Sequence, residues 1–221
     1  IMAYLQQRYL LNDTLIDAAK NDLDRRMVSL IEEQADVDAC DRSQRTALHH
    51  AATHGHGAAC EVLLDNRANV DARDTRGLTP LHCAATEDVA WICQFLIDNQ
   101  ADIEPRDYER QTPLHHAALY GSVSACKMLL DNQADIDLCD QTDQTPLHLA
   151  ATYGNAACQV LVNNFANINA CDQYNQTPLH LAATHGNATC QLLVDNGADV
   201  NACDQYNQTP LHIAAINGHA S

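Results

Sequence analysis

Six stretches of this 221-residue chain begin with Thr, then Ala or Pro, then Leu and His, at Thr46, Thr79, Thr112, Thr145, Thr177 and Thr209. The intervals between them are 33, 33, 33, 32 and 32 residues. A fixed period of that length marks a stacked repeat, in which each unit buries its apolar face only against its neighbours. One period before Thr46 lies Asp13, where DTLIDAAKND matches the frame of TPLHLAATYG at Leu15, Ala18 and Ala19. The chain thus divides into an N-terminal helical segment, 1–12, and a repeat region, 13–221. Its units are 13–45, 46–78, 79–111, 112–144, 145–176 and 177–208, with a truncated 209–221.

Each unit has a local physical logic. Thr followed by Pro is an N-cap followed by the first helical position: the hydroxyl can satisfy an orphan amide, and the fixed φ of Pro suits a site where no N–H is needed. A helix is expected to start there. The small pair Ala150 and Ala151 allows a neighbouring helix to approach closely, and Gly154 ends the segment. CQVLVNN supplies a second short helix with an apolar stripe, and ANINACDQYNQ leads out through an Asn- and Asp-rich turn. In the fifth and sixth units the stretch from Gly154 to Cys158, or Gly186 to Cys190, is one residue shorter than Gly55 to Cys60. That accounts for the 32-residue periods and places the deletion between the two helices. The fold class expected is all-α.

This pattern resembles the ankyrin repeat family from about Asp13 to the end, on the strength of TPLHLAATHGN, a Leu-rich second helix and NGADVNACDQ in one frame. The resemblance implies a solenoid of stacked helix-turn-helix units with projecting hairpin fingers. It implies that the recurrent His and Thr tie each hairpin to its helix and to the next unit, and that the recurrent Asp caps backbone amides. Departures from the family pattern stand where Gly usually closes the second helix: Gln34, Arg67, Gln100, Gln133 and Phe165, with Gly only at Gly197. At the finger tips Gly77 keeps the glycine, while Gln44, Arg110, Asp143, Asn175 and Asn207 replace it.

Charge and cysteine content bound the partners. The formal charge of −17 argues against a nucleic-acid or anionic-membrane surface, which needs clustered Lys and Arg. All twelve basic residues lie between Arg8 and Lys127, and the rest of the chain carries nine acids and no base. No run of eighteen apolar residues and no basic-then-apolar start is present, so an intracellular chain with free thiols is expected. Ile1 in place of Met, and Ser221 falling soon after the first helix of a seventh unit, lead to the expectation that the natural chain is longer. Of the ten cysteines, Cys60, Cys93, Cys126, Cys158 and Cys190 share one phase and Cys40, Cys139, Cys171 and Cys203 another, with no paired zinc spacing. Cys83 belongs to neither row and is expected on the concave side.

His49, His82, His115, His148, His180 and His212 share one phase, as do Asp41, Asp74, Asp107, Asp140, Asp172 and Asp204. A catalytic site needs different groups converging once, whereas these recur along a stack. They are therefore expected to be structural, and no catalytic residue, metal, cofactor or small-molecule substrate is expected. His50, His54 and His56 form a local cluster lacking a fourth ligand, with His50 and His54 expected as inner-face contacts. Trp91 is expected to fill core space.

Transferred by phase, the resemblance implies a non-catalytic scaffold that binds a protein or extended peptide through a concave groove and its fingers. The candidate partner-binding residues are Arg42, Arg45, Arg76, Tyr108, Tyr174 and Tyr206 on the fingers, and His54, Glu87, Tyr120, Tyr153 and His185 on the inner helices. An acidic segment of the partner is expected over the Arg-bearing fingers, and a polar or aromatic one over the Tyr and Gln fingers. The alternative is a targeting or substrate-recruiting arm of a larger enzyme or bacterial effector whose catalytic domain lies outside these residues.

Overall fold

The structure, a computed structural model, describes residues 2–186 and 188–219, with side chains from residue 8 onward. Among them are thirteen helices and no strand, the single bridge being the antiparallel one between Cys40 and Thr46. They form two compact units that meet in sequence at Tyr108 and Glu109.

The first unit holds three helix pairs: α1 (Met2–Lys20) with α2 (Asp24–Glu32), α3 (Ala47–His54) with α4 (Gly57–Asp65), and α5 (Pro80–Thr86) with α6 (Ala90–Asp98). The first helices pack side by side as one layer, α1 on α3 and α3 on α5, and the second helices form another, α2 on α4. In the second unit α7 (Pro113–Tyr120), α9 (Pro146–Tyr153), α11 (Pro178–His185) and α13 (Pro210–Ile216) stack as one layer. Behind them α8 (Val123–Asp131), α10 (Ala157–Asn163) and α12 (Thr189–Asp195) form the other. α1 runs without a break through positions 12 and 13, and Leu15, Ala18 and Ala19 are buried in the frame expected of an atypical first repeat. Ile1 and the side chains of residues 2–7, part of the N-terminal segment, lie outside the described residues. Of that segment Asn12 is placed with a purpose: its Oδ1 accepts the Asp36 amide at 2.8 Å.

The core lies between the layers. The Leu and paired Ala of each first helix are buried, as in Leu48, Ala51 and Ala52 or Leu147, Ala150 and Ala151, because only a methyl-sized side chain lets neighbouring helices close up. The second helices contribute Ala, Cys and Leu at fixed spacing, as in Ala59, Cys60 and Leu63 or Ala125, Cys126 and Leu129, all buried. The deleted residue of the two short units shows its effect here. α10 and α12 have seven residues where α4, α6 and α8 have nine, and the two missing helical residues, about half a turn, come from the N-terminal end, leaving Cys158 and Leu161 in place in the core.

Trp91 departs from expectation. It is 55% exposed rather than buried, since it stands at the outward-facing start of α6, and its ring covers the Cα of Gly57 in the preceding repeat, where a β-carbon would collide with it. The site is a surface seal between two second helices, and core volume there is filled by Ile92, Cys93 and Leu96.

Candidate interaction surface

The recurrent polar residues are consumed by the framework. Each Thr opens its helix in an extended conformation, and the His three positions on closes a capping box. The Nδ1 of His148 accepts the Thr145 amide at 3.1 Å, so that nitrogen carries no proton and Nε2–H must donate; it reaches the Gln176 carbonyl of the next unit at 3.1 Å. His49 does the same to Leu78, His115 to Gln144 and His180 to Gln208. With both ring nitrogens occupied, none of these four is available to a substrate.

The Asp row builds the fingers. Oδ1 of Asp172 accepts the amides of Tyr174 and Gln176, both at 2.8 Å, and Asp41, Asp74, Asp140 and Asp204 repeat the pattern. Consecutive fingers are joined through backbone: the Ser43 carbonyl accepts from Thr75, Arg76 from Tyr108, Glu109 from Gln141, Thr142 from Gln173 and Tyr174 from Gln205. The second oxygen of each Asp is where the repeats differ. Asp74 takes the Arg45 guanidinium at 3.2 Å, Asp140 the Gln111 amide at 3.2 Å and Asp41 the His50 ring at 2.9 Å, whereas Asp172 Oδ2 is buried without a partner among the described residues.

That accounting redistributes the expected contact residues. Arg45 is half-buried against an Asp74 side chain that is 2% exposed, and Arg73 donates to the Gly77 and Arg106 carbonyls at 3.2 and 2.6 Å. Of the finger arginines of the first unit, Arg42, Arg73 and Arg76 are exposed, and the Arg73 guanidinium is held by those two carbonyls. His50 is corrected from a surface contact to a half-buried partner of Asp41. Cys83 is buried, its thiol beside Thr53. The remaining candidates are exposed: His54, Glu87 and Tyr108 in the first unit, and Tyr120, Tyr153, Tyr174, His185 and Tyr206 in the second. Tyr120 and Tyr153 are 61% and 65% exposed at the ends of adjacent first helices, and the finger tyrosines sit on backbone already fixed by the Asp caps. The i,i+29 pairing of Arg45 with Asp74 could have been found from the sequence only by laying the repeats side by side.

The ten cysteines are free of disulfides. Cys60, Cys93, Cys126 and Cys158 are buried, and burial pushes the thiols of Cys60, Cys93 and Cys158 up to about 12. Cys190, in the same phase, is only half-buried because among the described residues no further second helix follows α12 to cover it. Among the described residues no three His, Cys, Asp or Glu side chains are grouped to hold a metal, and no helix is long and apolar enough to cross a membrane.

The buried histidines make the fold acid-sensitive. His49 and His148 are held below the ordinary histidine value, chiefly by burial, against the upward pull of the Leu78 or Gln176 carbonyl and of Asp74 or Asp172. Above about pH 6.5 neither the folded nor the unfolded chain protonates these rings, and their stabilisation is complete. Below it the unfolded chain takes up protons that the folded rings refuse, so stability falls until the pH passes the lowered folded values. The melting temperature is expected to be level from pH 8 to 7 and to decline from pH 6.5 to 5, as the unfolding free energy falls with a limiting slope of about 1.4 kcal/mol per pH unit for each ring. A level melting temperature down to pH 5 in calorimetry would contradict this.

Comparison with known proteins agrees with the geometry. The family model described as ankyrin repeats (3 copies) matches residues 15–107, 106–172 and 156–221. Among solved structures, the human ASB11 ankyrin repeat domain superposes with a TM-score of 0.80 at 28% identity, covering 90% of this chain and 90% of that one. No curated protein matches the chain. Ankyrin repeats are generally protein-interaction modules and are typically non-catalytic. With the repeat frame, the helix pairs and the family model in agreement over nearly the whole sequence, the chain belongs to the ankyrin repeat family.

Proposed function

We propose that this chain is a non-catalytic binding module that holds an extended polypeptide across the ends of its first helices and the tips of its fingers. The observation that carries the reading is the contrast within each repeat. The Thr and His that cap the first helices and the Oδ1 atoms of the finger Asp are bonded internally, whereas tyrosines project from fixed backbone at Tyr120, Tyr153, Tyr174 and Tyr206. Tyrosine buries large amphipathic area at little entropic cost, and a backbone already hydrogen-bonded before binding loses no further freedom. In the first unit the exposed cations Arg42 and Arg76 favour an acidic stretch of the partner.

The test is selection of extended peptides from a displayed library against the whole chain, followed by affinity measurement. Tyr120→Ala with Tyr153→Ala is expected to weaken the selected peptides by tenfold or more, since truncating a central aromatic anchor costs about 2 kcal/mol. Arg76→Glu is expected to weaken the acidic ligands and to flatten their salt dependence. Peptides that bind both variants as tightly as the parent would exclude these surfaces.

A further inference from the structure

Asp172 is 4% exposed, and its two oxygens have different fates. Oδ1 accepts the Tyr174 and Gln176 amides, whereas Oδ2 is buried and meets no donor among the described residues. Among those residues it is the only buried side-chain nitrogen or oxygen in that state. Removing a carboxylate oxygen from water without giving it a donor is costly, so such an atom in a folded protein calls for a partner.

The other repeats show which chemistry fits. The residue just before the Thr of a first helix can reach the second oxygen of the next finger's Asp. Arg45 does so to Asp74 through Nε at 3.2 Å, and Gln111 to Asp140 through its amide at 3.2 Å. Gln144 holds the same position ahead of Asp172, yet it is only half-buried and its side chain bonds no described residue. A guanidinium suits this geometry, since Arg45 occupies it against an Asp74 side chain that is 2% exposed. Beyond Lys127 the sequence holds no Lys or Arg to supply one. Tyr174, whose amide is bonded to the same carboxylate, is 47% exposed, and an aromatic face attracts a guanidinium.

We propose that the slot between the fingers carrying Gln144 and Tyr174 receives an arginine side chain of the bound polypeptide, with Asp172 Oδ2 as its acceptor. This rests on the reading of the chain as a polypeptide-binding module and adds the residue that its second unit selects. Entry requires the Gln144 side chain to swing aside, which breaks no hydrogen bond among the described residues. Arginine is favoured over lysine because its planar, weakly hydrated fork can donate to a carboxylate while lying on a ring. The partner supplies here what Arg45 supplies internally to Asp74.

The slot is tested first with a defined probe, N-acetylarginine methylamide, titrated into the whole chain and followed by amide NMR. The Tyr174 and Gln176 resonances, whose N–H groups bond Asp172, are expected to shift saturably. Those of Arg76 and Leu78, bonded to the Asp74 that Arg45 already occupies, should stay in place. The uncharged isostere N-acetylcitrulline methylamide is expected to have no effect. Gln144→Arg fills the slot from within, so it should abolish the shifts and raise the melting temperature by about 2–4 °C. Asp172→Asn keeps an oxygen for the two finger amides, and it should abolish both the shifts and that rise. Shifts that never saturate, that citrulline reproduces or that survive either substitution would overturn the proposal, as would Gln144→Arg without a rise. Peptides selected on the whole chain should carry Arg at one register and lose tenfold or more in affinity to Gln144→Arg. Selected peptides indifferent to that substitution would exclude the slot and spare the module reading. A saturating probe with no selectable peptide would do the reverse.

Discussion

Replacing His148 with Ala is expected to destabilise the second unit by about 2–5 kcal/mol, the sum of a lost buried hydrogen bond and the cavity left by the ring. The imidazole is fully buried and acts in two directions. Its Nδ1 is the acceptor for the Thr145 amide and hydroxyl, and its Nε2–H reaches the Gln176 carbonyl in the next repeat. The Gln176 carbonyl would keep its bond from the Asp172 amide, so the larger penalty falls on Thr145, whose N–H loses its acceptor inside the stack. His148→Gln separates the two contributions. A Gln at this position of a capping box can still accept from the Thr amide but does not carry the rigid ring that spans to the next finger. Urea unfolding followed by circular dichroism should therefore rank the wild type above His148→Gln, and that above His148→Ala. Equal midpoints for all three would mean that the row is not what ties the hairpins to the helices.

The opposite sign is expected from glycine. Gln34, Arg67, Gln100, Gln133 and Phe165 follow the second helices with φ of 75°, 66°, 70°, 69° and 64°, the left-handed region that Gly197 occupies at the same phase with φ 89°. A side chain there costs about 1–2 kcal/mol, of which Gly returns about 0.5–1 kcal/mol through the entropy of the unfolded chain. The net gain is roughly 0.5–1 kcal/mol per site, and sites a full repeat apart add, so the fivefold Gly variant should gain about 2.5–5 kcal/mol. Little packing is forfeited at Phe165, which is 91% exposed. The rise in melting temperature should be roughly 5–15 °C. No rise would show that these side chains make compensating contacts.

The repeat made most of the fold legible before any coordinates. Thr–Pro marks where helices start because both residues act locally, through a hydroxyl cap and a fixed φ, and α5, α7, α9, α11 and α13 all begin at that Pro. The left-handed positions were legible for the same reason: Gly77 and Gly197 reveal by phase what Arg67 or Asn175 must adopt. Trp91 was misread because its phase says only that it begins a second helix. Whether that start is covered depends on Gly57, 34 residues earlier in the chain.

The candidate surface was less legible. Arg45 and Arg76 look alike as finger arginines, yet Arg45 is committed to Asp74 while Arg76 is exposed. His50 and His54 look alike as neighbours on one helix, yet one ring is bonded to Asp41 and the other leaves Nε2 free among the described residues. In both cases the distinction is made by a residue that meets the side chain only after the chain has turned back on itself.

The amino-acid order alone determined the period, the helix starts, the backbone hands at the turns and which side chains belong to the framework, since each follows from interactions within a few residues or from repetition itself. The tertiary structure alone decided which polar groups are already spoken for and which remain to meet a partner. A hydrogen bond between neighbouring repeats depends on distance and direction in space, and a one-dimensional pattern carries neither.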